Sequence, residues 1–194
     1  MTLSHGEVSL RPLRLRDERA WDEVRSRNRD WTGPWDSTVP PGSSEEAPSF
    51  RTFVRAYRGD AKRGRMLPWA VWCGTGPAAR LAGQLTISGI TRGAAQWAQA
   101  GYWVDRAWAG RGVIPTALAL AADHLFGTLG LHRLEVAIRP ENTKSVRVVE
   151  KLGFRLEGRR ERYLHVAGDW RDHDVYVLTA EEVPDGVLAR LTRS

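Results

Sequence analysis

The sequence predicts a mixed α/β protein, and three observations predict it. Leu67 to Cys73, Leu81 to Ile90 and Gln96 to Val104 read as strands separated only by turn residues, at Gly74-Thr75-Gly76-Pro77 and Thr91-Arg92-Gly93, which is the pattern of an antiparallel meander. The third strand runs through Ala109-Gly110-Arg111-Gly112 into a helical stretch whose apolar positions Leu118, Ala121, Ala122, Leu125, Phe126 and Leu129 recur at helical spacing up to Gly130. Near the end, Phe154 to Val166 and Trp170 to Thr179, joined through Ala167-Gly168-Asp169, form a hairpin.

In chain order, Glu7 to Leu13 alternates as a strand, and Arg16 to Arg29 follows as a helix opened near Asp17. Gly33-Pro34 breaks the segment Asn28 to Asp36, where Trp31 and Trp35 either plug the edge of the core or line a pocket. Ser37 to Pro48, rich in Pro, Gly and Ser, reads as a mobile loop, and Ser49 to Arg63 as a second helix. After the glycine-bearing turn and its helix come a strand over Arg133 to Arg139 and a helix capped by Asn142, running through Leu152 and ended by Gly153.

A chain of 194 residues suits one domain, residues 1–194. Its 42% hydrophobic and 27% charged residues are those of a globular protein. No apolar run approaches the roughly 20 residues that span a membrane, and Met1-Thr2-Leu3-Ser4-His5-Gly6 has no secretory core, so a cytoplasmic location without membrane association is expected. Cys73, the single cysteine, reads as a buried small hydrophobe, and no histidine spacing suggests a metal. The net charge is +6, with 26 arginines and three lysines, but acidic residues are interleaved, as in Arg14-Leu15-Arg16-Asp17-Glu18-Arg19. No basic run is dense enough for direct nucleic-acid binding.

The chemistry concentrates at Gly110-Arg111-Gly112. Glycine lacks a Cβ, so two glycines here let backbone N–H groups converge on one point, and the following helix start adds free donors and a positive dipole end. That is an anion cradle, and Pro115 suits the first turn, where its missing N–H costs nothing. A Rossmann dinucleotide unit is excluded because its glycine turn comes early in a parallel sheet, not after a meander.

Gly101-Tyr102-Trp103-Val104-Asp105, Ala109 to Gly112, Asn142-Thr143-Lys144-Ser145, Glu150-Lys151-Leu152-Gly153-Phe154, Leu156-Glu157-Gly158, and Tyr163-Leu164 with Trp170-Arg171-Asp172-His173 occur in the order seen in the GCN5-related N-acetyltransferase (GNAT) superfamily. Over nearly its whole length the chain resembles the branch that acetylates the N-terminal alanine of ribosomal proteins, a branch with a similar Trp-x-x-x-Trp segment. The resemblance implies a GNAT fold, a mostly antiparallel sheet of about six to seven strands with helices on both faces, and acetyl-CoA as cofactor. It implies that N–H groups of Ala109, Gly110, Arg111, Gly112, Val113 and Ile114 hold the pyrophosphate, that the strand edge at Trp103 and Val104 pairs with the pantetheine, and that Asn142 and Ser145 border it. Ala109 and Ile114 depart from the family pattern, which begins the cradle with Gln or Arg and often ends it with Gly or Ala.

By the same resemblance, the N–H of Val104 polarises the acetyl carbonyl, and Ser145 or Tyr163 protonates the departing thiolate. Glu135, in Leu134-Glu135-Val136, is similar to a proposed base in some relatives, or is an outward polar strand residue. Trp31 and Trp35 fall to the substrate side. His165 and His173 read as hairpin side chains, with His173 keeping the family pattern. Deprotonating an α-amine of pKa about 8 at pH 7 costs roughly 1 to 1.5 kcal/mol, against roughly 4 to 5 for a lysine, so a site without a dedicated base favours an α-amine. The expected acceptor is a protein N-terminus, with a small-molecule amine or a non-catalytic acyl-CoA-binding module as alternatives, and the expected state is a monomer or homodimer. Between Trp31 and Pro48 only Asp36, Glu45 and Glu46 are acidic, which argues against a polycation.

Overall fold

A computed structural model of the protein describes residues 1–43 and 48–193. Eight strands form one sheet: β1 (Leu3–His5), β2 (Val8–Pro12), β3 (Leu67–Cys73), β4 (Arg80–Thr91), β5 (Trp97–Val104), β6 (Arg133–Ile138), β7 (Arg155–Val166) and β8 (Asp169–Thr179), in the order β1-β2-β3-β4-β5-β6-β8-β7. Every pairing is antiparallel except that of β5 with β6. The sheet has one strand beyond the expected range. The addition is β1, three residues folded back on β2 across Gly6 at φ +55°, too short to show an alternation.

Helices cover both faces because β3 alternates. Ala70 packs with Leu13, Val24, Val54 and Leu81 beneath α1 (Glu18–Arg27), the short α2 (Arg29–Thr32) and α3 (Phe50–Lys62). Val71 joins Val8, Leu10, Leu118 and Leu125 beneath α4 (Val113–Asp123), α5 (Thr143–Lys151) and α6 (Val187–Arg193). Ser49 caps α3 by accepting from Thr52 N–H at 3.3 Å.

Three local details depart from the sequence reading. The helix expected to run to Leu129 changes at His124–Thr128 into one π turn, with Leu129 N–H bonded to the His124 carbonyl at 3.1 Å, and the wider turn keeps both His124 and Leu125 buried. Helix α6 was not expected; at seven residues it is too short to show a period, and the Asp123 carboxylate holds its Val187 and Leu188 N–H groups at 2.6 and 3.1 Å. Of the loop expected over Ser37 to Pro48, residues 44–47 lie outside the described residues, while Thr38 N–H donates to the His165 carbonyl at 2.9 Å.

Two irregularities shape the region that follows. Strands β5 and β6 pair only over Trp97–Gln99 and Arg133–Glu135 and then diverge, so the edge from Ala100 to Val104 faces an opening. In the β7–β8 hairpin the register jumps between Arg160 and Leu164, where Arg162 takes φ +49° and its N–H is held by the Asp172 carboxylate at 2.8 Å. Such a bulge re-aims neighbouring side chains.

Candidate active site

Where β5 and β6 part, a cleft of about 1310 Å³ runs through the molecule, and its residues come from every element near the split. At one end lies the glycine cradle. Asp105 caps the turn Arg106–Trp108 by accepting from Ala107 N–H at 3.1 Å, and Gly110 and Gly112 follow at φ +76° and +74°. No atom lies within 4 Å of a Cβ built at either glycine, so glycine is required there by backbone conformation and not by space. Gly112 is the left-handed N-cap of α4 and brings no capping side chain, and the first bond into the helix is Thr116 N–H to the Gly112 carbonyl at 3.0 Å. Val113 and Ile114 therefore keep first-turn donors, and Pro115 has none to satisfy. Ala109 differs from the expectation for it, because its N–H is given to the Arg106 carbonyl at 3.2 Å.

The next feature is the open edge of β5. Asp105 N–H donates to the Ala82 carbonyl at 2.8 Å and Val104 lies opposite Gly83, so Val104 forms a non-hydrogen-bonded pair with β4 and its own N–H and C=O point toward the split. Trp31 takes the carbonyl, its indole N–H donating to it at 2.9 Å. The Val104 N–H is left directed at the cleft. The strand end is pinned from behind by buried Asn28, whose amide donates to Asp105 at 2.9 Å and to the Val24 carbonyl at 2.8 Å while its oxygen accepts from Arg106 N–H at 2.9 Å. Burial alone would raise the Asp105 carboxyl, but bonds from Arg27, Asn28 and the Ala107 N–H hold it below the usual carboxylate range. Sequence reading passed over this clamp, because Asn is mostly an exposed residue type and nothing local marks Asn28 as buried.

The opposite wall is α5. Asn142 caps it, accepting from Ser145 N–H at 3.2 Å, and the Ser145 carbonyl accepts from the Tyr102 hydroxyl at 3.3 Å. Burial pushes that phenol far above the ordinary tyrosine range, so it stays a donor. Ser145 and Tyr163 both line the cleft, Tyr163 accepting a bond from the Gln99 amide at 3.4 Å. Trp31 and Trp35 line it too, the first carrying the Lys144 ammonium 4.0 Å from its ring and the second the Arg139 guanidinium at 5.3 Å. Of the two alternatives for these tryptophans, pocket lining is the arrangement found. Trp103 also borders the cleft, its indole N–H donating to Gln84 at 3.3 Å.

Glu135 is the site candidate that is not brought in. It is buried but does not line the cleft; one carboxylate oxygen accepts from Arg133 at 2.8 Å and the other from Arg160 at 2.9 Å. His173 is instead found in the cleft wall, 4% exposed, with its ring edge-on to Tyr163 at 5.8 Å. Cys73 is buried away from the cleft and its thiol is pushed up to about 11, chiefly by burial. Among the described residues no group of three His, Cys, Asp or Glu side chains is placed to hold a metal, and no helix is long and apolar enough to cross a membrane.

A split sheet with an unpaired strand edge leading from an anion cradle to an aromatic mouth defines an acyltransferase of the class that takes its acyl group from a coenzyme A thioester. Comparison with known proteins gives the same class. A family model described as the acetyltransferase (GNAT) domain matches residues 7–155, and the chain belongs to that family. The probable N-acetyltransferase YjcK of Bacillus subtilis (strain 168) is 30% identical over 171 residues, which are 88% of this chain and 93% of that protein. The ribosomal protein uS5-alanine N-acetyltransferase of Escherichia coli (strain K12) is 34% identical over 108 residues, and the match spans 56% of this chain and 54% of that protein. The structure of Mycobacterium smegmatis RimJ in complex with CoA-disulfide superposes with a TM-score of 0.90 at 38% identity, covering 100% of this chain and 94% of the other. The chain is an acetyl-CoA-dependent N-acetyltransferase with a mixed α/β GNAT fold.

Proposed function

We propose that this enzyme acetylates the α-amine at the N-terminus of a protein, with ribosomal proteins as the target class, and that it works in the cytoplasm as one domain over residues 1–194, a monomer or homodimer without direct nucleic-acid contact. The observation that carries the reading is the course of the cleft, from Gly110 and Gly112 along the open edge of β5 to the mouth walled by Trp31 and Trp35. A slot of that form admits an extended chain end. The likeness to RimJ along the whole chain and to the uS5-alanine enzyme over part of it supports the target class.

In this reading the N–H groups of Gly110, Arg111, Gly112, Val113 and Ile114 bind the pyrophosphate, with Ala109 shaping the turn. Tyr102 and Val104, whose backbone groups face the split, offer the strand edge to the pantetheine, while Trp103, opposite Gln84, turns its own N–H and C=O to β4, and Asn142 and Ser145 form the facing wall. Acetyl-CoA supplies the acetyl group activated as a thioester. The Val104 N–H polarises the carbonyl, and the hydroxyl of Ser145 or Tyr163 protonates the leaving sulfur. Glu135, with both oxygens taken, serves to fix Arg160, whose guanidinium stands 5.0 Å from the Tyr163 ring.

A polycationic acceptor is disfavoured at the mouth. Asp36 is already paired with Arg25 at 2.6 Å, Arg139 and Lys144 stand beside the tryptophans, and Glu45 and Glu46 lie outside the described residues. Thiol release from acetyl-CoA, measured with alanine-, serine- and methionine-initiated peptides alongside spermidine and an aminoglycoside, tests the proposal. Turnover confined to peptides is expected; turnover confined to the small amines would sink it.

A further inference from the structure

Two histidines sit inside the closing hairpin, and they are held differently. His165 is fixed by the Thr38 hydroxyl at 2.7 Å and packs edge-on against Trp170 at 5.6 Å. His173 lines the cleft, and its Nδ1 lies 3.0 Å from the Arg171 carbonyl oxygen. A carbonyl can only accept, so Nδ1 carries a proton and the neutral ring has its lone pair on Nε2. No hydrogen bond from a described residue takes Nε2.

The charged groups facing this ring are Arg139 at the end of β6, Glu141 just beyond it, Asp172 on β8 and Arg160 on β7. Each is already engaged: Glu141 with Arg139 at 3.3 Å, Asp172 with the Arg162 N–H at 2.8 Å, and Arg160 with Glu135 at 2.9 Å. Both carboxylates favour the imidazolium, but neither makes a hydrogen bond to the ring. Burial is the largest influence on the ring, and with the Arg139 charge it outweighs the Arg171 carbonyl and the nearby carboxylates, so the pKa falls below the ordinary histidine value. The ring is neutral at pH 7 with an open acceptor in the wall of the cleft.

We infer that His173 Nε2 is the proton acceptor for the amine, a catalytic residue of this site, and that the site for this reason takes α-amines in preference to lysine side chains. The inference rests on the acetyl-transfer reading of the cleft. The neutral amine forms the N–C bond to the thioester carbonyl carbon, the C–S bond breaks with its electron pair on sulfur, and the surplus proton on nitrogen passes to Nε2. Sulfur takes a proton from the hydroxyl of Ser145 or Tyr163, and solvent returns the imidazolium proton to that hydroxyl. A weakly basic imidazole does little to strip an ammonium ion, so the acceptor must lose its first proton cheaply. Between an α-amine near 7.9 and a lysine near 10.4 the neutral fraction at pH 7 differs by roughly 300-fold.

Histidine ring-nitrogen NMR of the protein without acetyl-CoA should show the Nδ1–H tautomer with a midpoint below about 6.5, assigned by the signal missing in His173→Gln. With acetyl-CoA and an alanine-initiated tetrapeptide, log kcat/KM of the wild type should rise with a slope of about one below the amine pKa and steepen to about two below the ring midpoint. His173→Gln should keep the single slope and lose roughly 100-fold in rate, with KM for acetyl-CoA unchanged and partial recovery of His173→Ala by added imidazole. An Nε2–H tautomer, or a His173→Gln enzyme within threefold of wild type, overturns the inference. Should either variant fail to bind CoA in a thermal-shift assay, the wild-type tautomer and the wild-type steepening decide alone. If the wild type turns over only a small amine, the proposed target fails, while the same profile measured with that amine still tests His173.

Discussion

Replacing Trp31 with Phe isolates one hydrogen bond at the centre of the site. The peptide joining Val104 to Asp105 is clamped at both ends, its carbonyl by the Trp31 indole at 2.9 Å and its N–H by the Ala82 carbonyl at 2.8 Å. That clamp fixes the rotation about Val104 and hence the aim of the Val104 N–H into the cleft. Phe keeps an aromatic face for the Lys144 ammonium, now 4.0 Å from the indole, and deletes only the donor. A net hydrogen bond contributes about 0.5–1.5 kcal/mol, and because water reaches the cleft the freed carbonyl adds little to that. With about 1.4 kcal/mol per tenfold, kcat/KM should fall roughly 2- to 12-fold, carried by kcat, with KM for acetyl-CoA nearly unchanged. Steady-state thiol release with an alanine-initiated peptide measures it, beside Trp31→Ala as the variant that also removes the ring. The reasoning is refuted if Trp31→Phe matches wild type within experimental error, or if it is as damaging as Trp31→Ala.

Other positions give independent checks. A Cβ at Gly83 would collide with the Trp103 carbonyl oxygen and lie 3.1 Å from Val104 Cα, while one at Gly101 meets nothing within 4 Å. Gly83→Ala should therefore destabilise by about 1–3 kcal/mol and lower the melting temperature by several degrees, and Gly101→Ala should melt like wild type; equal melts for the two would contradict the strand spacing at Val104. Gly112→Ala forces a non-glycine residue to φ near +74°, so CoA affinity measured by calorimetry should weaken roughly 5- to 30-fold from a conformational cost of about 1–2 kcal/mol. Burial lowers the pKa of both His124 and His173. The unfolded chain then binds protons first as pH drops below about 6.5, so urea midpoints should decline from pH 7.5 to pH 5.5, and less steeply in His124→Gln.

The elements that the sequence announced are those with local causes. Alternation marked β2, turn residues marked β3 to β5 and the β7–β8 hairpin, Asn142 marked a helix start, and the two glycines before Pro115 marked the cradle. What stayed hidden depends on partners far along the chain. The parting of β5 from β6 was expected at Val104 only through the family resemblance; β6 pairs with β8 along its whole length but with β5 over three residues, and no residue in either strand signals that difference by itself. Glu135 looked available because Arg160, twenty-five residues away, was not visible as its neighbour; Arg133, two residues off on the same face of the strand, was the one legible warning. His173 was read as an ordinary hairpin residue because the bulge at Arg162 sets how the two strands align there, and that bulge arises from a bond to Asp172 rather than from a glycine.

An enzyme that acetylates amines carries its own surface amines at the highest local concentration of any substrate. With 26 arginines against three lysines, this chain builds its positive charge almost wholly from guanidinium groups, which stay protonated and do not attack a thioester. Of the three lysines, Lys62 is on α3, away from the cleft, whereas Lys144 and Lys151 border it. Lys144 lies against the face of Trp31, its Nζ 4.0 Å from the ring, so the indole that fixes Val104 also seats one of the two lysines that border the cleft.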